Sequence, residues 1–285
     1  MSGGAGAAVA RLTGRRVRAE RRSTGALTEV ELDDGLVVMA KRADTPRAVA
    51  AEAAGLAWLA AAGAVRVPEV RGQDETWLVT DRVAQGRATP AAAERFGRAL
   101  AALHAAGAPA FGAAPPGGPR QAYIGAAPMA NVPGSDWPRW YAEHRVLPYL
   151  RGAVDAGDMS MAGAAVIEQV CDRLPHLAGP AEPPARLHGD LWNGNVLWGA
   201  DDEVRLIDPA AHGGHRESDL AMLRLFGCPH LERILAAYAD AAPLAPGAAA
   251  RVPLHQLFPL LVHTLLFGTG YADQAVAAAR AALAA

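Results

Sequence analysis

The stretch Leu187–Pro209, "LHGDLWNGNVLWGADDEVRLIDP", decides how this chain is read. Asn195–Trp198 is apolar and closed by Gly199, while Glu203–Ile207 alternates and is closed by Pro209. The intervening "GADD" is turn chemistry, so the stretch reads as a β-hairpin. Antiparallel pairing puts Trp198 near Val204, and Asn195 near Ile207 or Asp208. Side chains across such a pair lie about 4.5–5.5 Å apart. An amide oxygen and a carboxylate at one hairpin end suit one hard cation, and Mg²⁺ prefers such oxygen ligands. Asp190 precedes the hairpin on a glycine-bearing loop, where it can take a proton from a hydroxyl. A solvent-facing hairpin with incidental acids is the competing reading, and the spacing argues against it.

That spacing matches the H-R-D-x-x-x-x-N and D-F-G segments of protein kinases, written here H-G-D-L-W-N-G-N and I-D-P. The rest of the chain supplies further parts. "RVRAE", "TEVEL" and "LVVMAK" alternate as three strands, with a "DDG" turn before the third. Lys41 closes the third strand and is the only lysine in the protein. Where arginine fills every other cationic position, a lone lysine suggests a need for a compact point charge. A helix follows, with Thr45 as N-cap, Pro46 in the first turn and Gly63 at its end. Its apolar stripe is Val49, Ala53, Leu56 and Leu59 or Ala60. Glu52 falls on or beside that stripe and needs a partner, for which Lys41 is the candidate.

"VRVPEVRG" and "ETWLVTDRV" read as two more strands. After Val83 the periodicity becomes helical, with a Pro/Gly loop over 107–120 and helices expected near 136–155, 160–176, 216–240, 253–268 and 271–284. The expected fold is α+β and two-lobed, of the protein-kinase-like class. A β-rich lobe spans 1–83 and an α-rich lobe 84–285, joined by a hinge at Asp81, Arg82 and Val83. The phosphate-covering turn is the weakest part. It contains Ser23, Thr24 and a single Gly25, so backbone amides must do the work of missing glycines. The first dozen residues read as a tail.

The 285 residues are 51% hydrophobic and 20% charged, ample for one large domain or two lobes. A net charge of −2 suggests no nucleic-acid or anionic-membrane partner. Two isolated cysteines fit a reducing cytoplasm. No signal peptide is expected, and no run is long and apolar enough to span a membrane. His212 and His215 resemble half a metal site, with no third ligand nearby in sequence.

The segment "LHGDLWNGNVLW" resembles the fructosamine kinase (ketosamine-3-kinase) family, a branch of the aminoglycoside-phosphotransferase-like kinases. Trp192, Gly194 and Asn195 carry that likeness. Tyr123–Gly125, the W…R…P stretch at Trp137, Arg145 and Pro148, "IDPAAHGGHRESDLAMLRLFG" and "LHQLFPLLVHTLLFGTGY" are similar to further family blocks in the same order. The likeness spans about residues 17 to 271. It implies ATP-dependent phosphorylation of the 3-hydroxyl of a ketoamine, free or protein-bound, whose phosphate then decomposes and releases the amine. By position, Asp190 would be the base, Asn195 and Asp208 the Mg²⁺ ligands, Lys41 and Glu52 the phosphate-holding pair. Trp192 would wall or stack on the sugar. His188 would hold backbone. Glu217 and Asp219 would bind the loop or the substrate amine. The turn at Ser23–Gly25 has less glycine than the family, which bears on nucleotide affinity. Alternatives are a kinase of an aminoglycoside, choline or homoserine, and a nucleotide-binding pseudokinase. The preferred ketoamine and the oligomeric state are not read from these residues.

Overall fold

The computed structural model describes residues 4–285. Helix α1 (Ala5–Thr13) opens it, followed by β1 (Val17–Thr24), β2 (Leu27–Leu32) and β3 (Val37–Arg42). Next come α2 (Pro46–Ala61), β4 (Val70–Gln73) and β5 (Trp77–Asp81). The strands form one antiparallel sheet in the order β1-β2-β3-β5-β4. The first dozen residues are therefore not a free tail where described. Ala5, Ala8 and Val9 of α1 pack on Val30, Val38 and Trp77 of the sheet. The strand expected over 65–72 is shortened to β4, because Pro68 has no N–H to give a ladder. On the other face, Val49, Ala53 and Leu56 of α2 pack on Leu78. Thr45 caps α2 as expected, its hydroxyl accepting from the Ala48 N–H at 3.2 Å.

The remainder is largely helical. It runs α3 (Pro90–Ala105), the hairpin β6 (Gln121–Ile124) and β7 (Ala127–Ala130), α4 (Trp137–Tyr141), α5 (Leu147–Asp155) and α6 (Met161–Leu177). Then follow β8 (Ala185–Leu187), β9 (Val196–Trp198), β10 (Val204–Leu206) and β11 (His212–Gly214). Helices α7 (Glu217–Phe226), α8 (Leu231–Ala241), α9 (Ala248–Phe267) and α10 (Ala272–Ala284) complete the chain. The fold is mixed α+β and kinase-like. The largest core joins α4, α5, α6, α9 and α10 around Ile167, Leu257 and Leu261.

Two helical expectations change. The helix expected over 216–240 is broken at Gly227, whose φ of 71° ends α7, and at Pro229. Between α4 and α5 a π-turn spans Ala142–Val146. Pro148 has no N–H for the His144 carbonyl, and the Arg145 Nη1 donates there instead at 3.1 Å. Arg145 is wholly buried, with Nη1 also donating to Ala130 O and its guanidinium 4.6 Å from the Trp140 ring centroid. The W…R…P stretch is thus an internal brace.

The β9–β10 hairpin is stitched to the linker that follows β5. The Gly86 N–H donates to Trp198 O and the Ala200 N–H to Ala84 O, both at 2.8 Å. The Leu206 N–H donates to Arg66 O at 2.9 Å. The hairpin that carries the candidate metal ligands is therefore fixed against the sheet-bearing part.

Candidate active site

Register places the first functional pair. Leu27 faces Lys41, and Lys41 faces Leu78, so the lysine is the next-to-last residue of β3, beside α2. Its Nζ donates to Glu52 Oε2 at 2.8 Å and to Asp208 Oδ1 at 2.9 Å. Burial alone would weaken the ammonium, but the two carboxylates outweigh it and push its pKa up. Burial pushes Glu52 up, against the pull of Lys41. Lys41 thus stands as a cation between an N-terminal acid and the acid at the hairpin end.

The hairpin register is the one expected, with Val204 opposite Trp198. The Ile207 N–H donates to Asn195 O at 3.1 Å. Asp208 adopts a left-handed φ of 50°, which aspartate tolerates better than most residues. Such a conformation stores strain of roughly 1–3 kcal/mol and is common where function demands it. Asn195 turns its amide Nδ2 to Asp190, donating to the backbone O at 2.8 Å and to Oδ2 at 3.1 Å. Its carbonyl Oδ1 has no partner among the described residues.

Asp190 sits on a loop held from behind. Asp219 is buried and accepts from the His188 N–H at 2.8 Å, the Gly189 N–H at 3.0 Å and His104 at 3.1 Å. His188 is wholly buried. Its Nε2 lies 2.9 Å from Ile207 O and its Nδ1 accepts from the Asp190 N–H, so the ring holds backbone on both sides. Gly189 has a φ of 82°, and a Cβ there would lie 2.1 Å from Ala210 O; only glycine fits. Burial pushes the Asp190 carboxyl up to about 7, with the Asn195 amide working against it and Asp208 and Asp219 adding to it. A carboxylate poised near neutrality suits a general base.

The open space beside these groups is a cleft of about 460 Å³. Lys41, Glu52, Asp208, Thr24, Asp81, Arg82 and Val83 all line it. The side chains of Asp81 and Arg82 are engaged elsewhere, Asp81 with Arg71 at 2.6 Å and Arg82 with Glu29. Their backbone is what remains for a ligand, and the Val83 N–H has no partner among the described residues. Ser23 and Gly25 do not line the cleft. Gly25, at a φ of 58°, opens the two-residue turn between β1 and β2, while Ser23 lies in β1 opposite Thr28, their hydroxyls 3.2 Å apart. Arg22 does line it. No sequence signal separated this arginine from the others.

Two candidates for the substrate amine lie elsewhere. Glu217 is buried and gripped by Arg251, with Nε to Oε2 at 2.9 Å and Nη2 to Oε1 at 2.5 Å. Asp219 is spent on the loop, one of the two roles expected for it. Both are interior groups, because α7 starts in the core. His212 and His215 are not half a metal site. The histidine that joins His215 and Glu217 is His255, from α9. Arg251 already occupies both oxygens of that carboxylate, and a guanidinium excludes a second cation. Burial pushes Glu217 up, but His255, 3.4 Å away, and the hydrogen-bonded Arg251 outweigh it and hold it at about 2, below the ordinary 4.5. The stability it contributes is present above about pH 4.5 and fades as pH falls toward 2. Glu217→Gln should flatten the acid limb of a melting-temperature profile; an unchanged limb would mean the ion pair contributes nothing.

Trp192 is 41% exposed, and its indole lies over Gly194. A Cβ at Gly194 would come within 2.3 Å of that ring, which explains the glycine.

This arrangement places the chain among the kinases built on a two-lobed α+β fold. Comparison narrows the class: the sequence model described as fructosamine kinase matches residues 27–285, and the chain belongs to that family. The crystal structure of a Thermobifida fusca protein assigned as a fructosamine-3-kinase is similar over 99% of both chains, with 52% identity and a TM-score of 0.92. A Thermus thermophilus relative assigned as a ketoamine kinase is 35% identical over 82% of each chain. A protein-ribulosamine 3-kinase of Arabidopsis thaliana, named as chloroplastic, is 31% identical over 84% of this chain and 73% of its own.

Proposed function

We infer that the protein transfers the γ-phosphoryl group of ATP to the 3-hydroxyl of a ketoamine, a deglycation step. The observation that supports this is the placement of the Asp190–Asn195 pair beside the Lys41–Asp208 pair at the hairpin end, with Lys41 and Asp208 lining the cleft. Asp190 takes the proton of the acceptor hydroxyl as its oxygen bonds to phosphorus and the bond to the ADP oxygen breaks. Lys41, held by Glu52, neutralises phosphate charge. The N-terminal lobe, to Val83, holds the nucleotide, and the free Val83 N–H suits an adenine edge. Arg22 and Thr24 flank the phosphates in place of glycine amides. Trp192 walls the sugar.

The Asn195 Oδ1 and the Asp208 carboxylate form a hard-oxygen donor pair that fits Mg²⁺. When bound, the ion supplies charge neutralisation at the transferred phosphate. In the free protein Lys41 already pairs with Asp208, so a metal and the ammonium compete for that carboxylate. A charge a few ångströms away is worth several kcal/mol before screening, so Lys41→Met should bind Mn²⁺ without nucleotide about tenfold more tightly, while losing turnover. Unchanged Mn²⁺ affinity, followed by electron paramagnetic resonance, would remove Asp208 from the metal site.

The reading extends to the cytoplasm as the place of action. Cys171 and Cys228 are unpaired, and no described helix is long and apolar enough to cross a membrane. A panel of ribulose-, fructose- and erythrulose-amine adducts, assayed by ADP release, tests the acceptor class. Release with none of them contradicts it.

A further inference from the structure

Helix α2 presents a second stripe besides the one that packs on Leu78. Glu52, Gly55 and Leu59 follow one another at intervals of three and four, so they share one face. That face meets the segment that closes the β9–β10 hairpin. Glu52 and Asp208 grip the same Lys41 Nζ at 2.8 and 2.9 Å. Leu59 shares a core with Leu206 and Ala211. Gly55 is buried, and a Cβ there would lie 3.1 Å from Pro209 Cγ and 3.3 Å from Ala211 Cβ.

Glycine in a helix interior is a poor choice on propensity alone, because alanine fixes the same backbone at a lower entropic cost. Alanine is the commonest residue of α2, which makes the exception at Gly55 informative. The reason is room. Pro209 directly follows Asp208, so the approach of Gly55 to Pro209 also sets the approach of the Glu52 helix to the acid across Lys41. A methyl group at 3.1–3.3 Å from its neighbours fits only if the helix backs away by about a few tenths of an ångström.

Two further contacts fasten α2 to the helical part. Arg186 of β8 donates from Nη1 to Trp58 O at 2.8 Å and lays its guanidinium 4.8 Å from the Trp58 ring centroid. The loop over 107–120 closes on Ala54, where a Cβ at Gly118 would lie 3.2 Å from the Ala54 Cβ. Strand β8 runs straight into His188 and the catalytic loop. Helix α2 is therefore seated on the part that carries Asp190, and Glu52 reaches Lys41 from that seat.

We propose that Gly55 is a positioning residue for phosphoryl transfer: its missing side chain lets α2 close on Pro209 and Ala211, and that contact sets how firmly Glu52 holds the Lys41 ammonium at the phosphates. This rests on the phosphotransferase reading above. Gly55 acts through Glu52 and touches no substrate. When α2 backs away, Glu52 leaves Lys41, and the ammonium falls to Asp208 alone, the carboxylate offered to the metal.

Lys41 is the only lysine in the protein, so isotope-labelled lysine gives one side-chain NMR signal that reports these contacts without catalysis. In Gly55→Ala that signal should move toward its position in Glu52→Gln. Turnover should fall about tenfold, short of the roughly 10²-fold that a displacement of about 1 Å costs. The Mg²⁺ concentration for half-maximal turnover should rise, because Lys41 then competes harder for Asp208. The melting temperature should hold or rise, since alanine is the better helix former. Added to Glu52→Gln, Gly55→Ala should cost less than about twofold more, because the contact it disturbs is already gone. Ala211→Gly, which returns room for one methyl group, should restore most of the Gly55→Ala loss. A wild-type lysine signal in Gly55→Ala, or a loss as large in the Glu52→Gln background as in the wild type, would overturn the proposal. Wild-type protein that binds Mg·ATP yet phosphorylates no ketoamine would overturn the ketoamine reading alone, and the lysine signal still decides the role of Gly55.

Discussion

Asp190→Asn should fold, bind Mg·ATP with near wild-type affinity, and turn over about 10²–10⁴ times more slowly, the range expected when a general base is removed. The amide is isosteric and can still accept from the Asn195 Nδ2, so the loop keeps its shape. Asparagine has no charge to bury, so the substitution relieves a desolvation cost that already raises the native carboxyl to about 7. The loss should therefore lie in kcat with thermal stability unchanged or higher. Calorimetric titration of nucleotide with a turnover assay separates the two. Wild-type turnover would mean that another group takes the proton. Loss of nucleotide binding would mean that Asp190 belongs to the cleft rather than to the acceptor.

Asp219→Ala should be the most damaging substitution for folding. The carboxylate serves the His188 N–H, the Gly189 N–H and His104, and it is about 1% exposed. Removing it strands two backbone donors and a ring nitrogen in a dry interior, at a cost of about 3–5 kcal/mol. His104 is braced in turn by the Tyr238 hydroxyl at 2.8 Å, so it cannot swing to a new partner without breaking that contact. Asp219→Asn should fall between, because one of its two carboxylate oxygens becomes an N–H facing other donors. Turnover should drop with stability, since Gly189 directly precedes the base. A urea midpoint within error of wild type would show that the loop is held by something else.

Much of the site was legible from periodicity. The period-2 pattern ended a strand on Lys41, and the helical stripe of Val49, Ala53 and Leu56 brought Glu52 to the same side. A lysine at a strand end and a glutamate beside a buried stripe had few partners but each other. The hairpin was equally readable, because "GADD" set the register that brings Asn195 and Ile207 together.

What the residues hid was mostly long-range. α1 lacks a capping side chain and a charged face, so an alanine-rich segment read as a tail until the sheet gave it a surface to cover. Glu217 and Asp219 carry the same charge whether they face solvent or the core. Only the placement of Arg251 and His104, each from another helix, makes them interior braces. Arg145, matched only as part of the W…R…P stretch, fills the gap that Pro148 leaves in a helix. Pro229 marked the break between α7 and α8 locally, but an apolar pattern running through it masked the signal.

The central claim is that a phosphoryl group is placed on the 3-hydroxyl of a ketoamine by chemistry at Asp190. Phosphorus–proton correlation NMR of a ribulosamine or fructosamine incubated with Mg·ATP tests it most directly. The account predicts a new phosphomonoester coupled to the proton on carbon 3 with the wild-type protein, slowed about 10²–10⁴-fold with Asp190→Asn. A phosphate on another carbon, or none on any acceptor while the protein binds ATP, would contradict it.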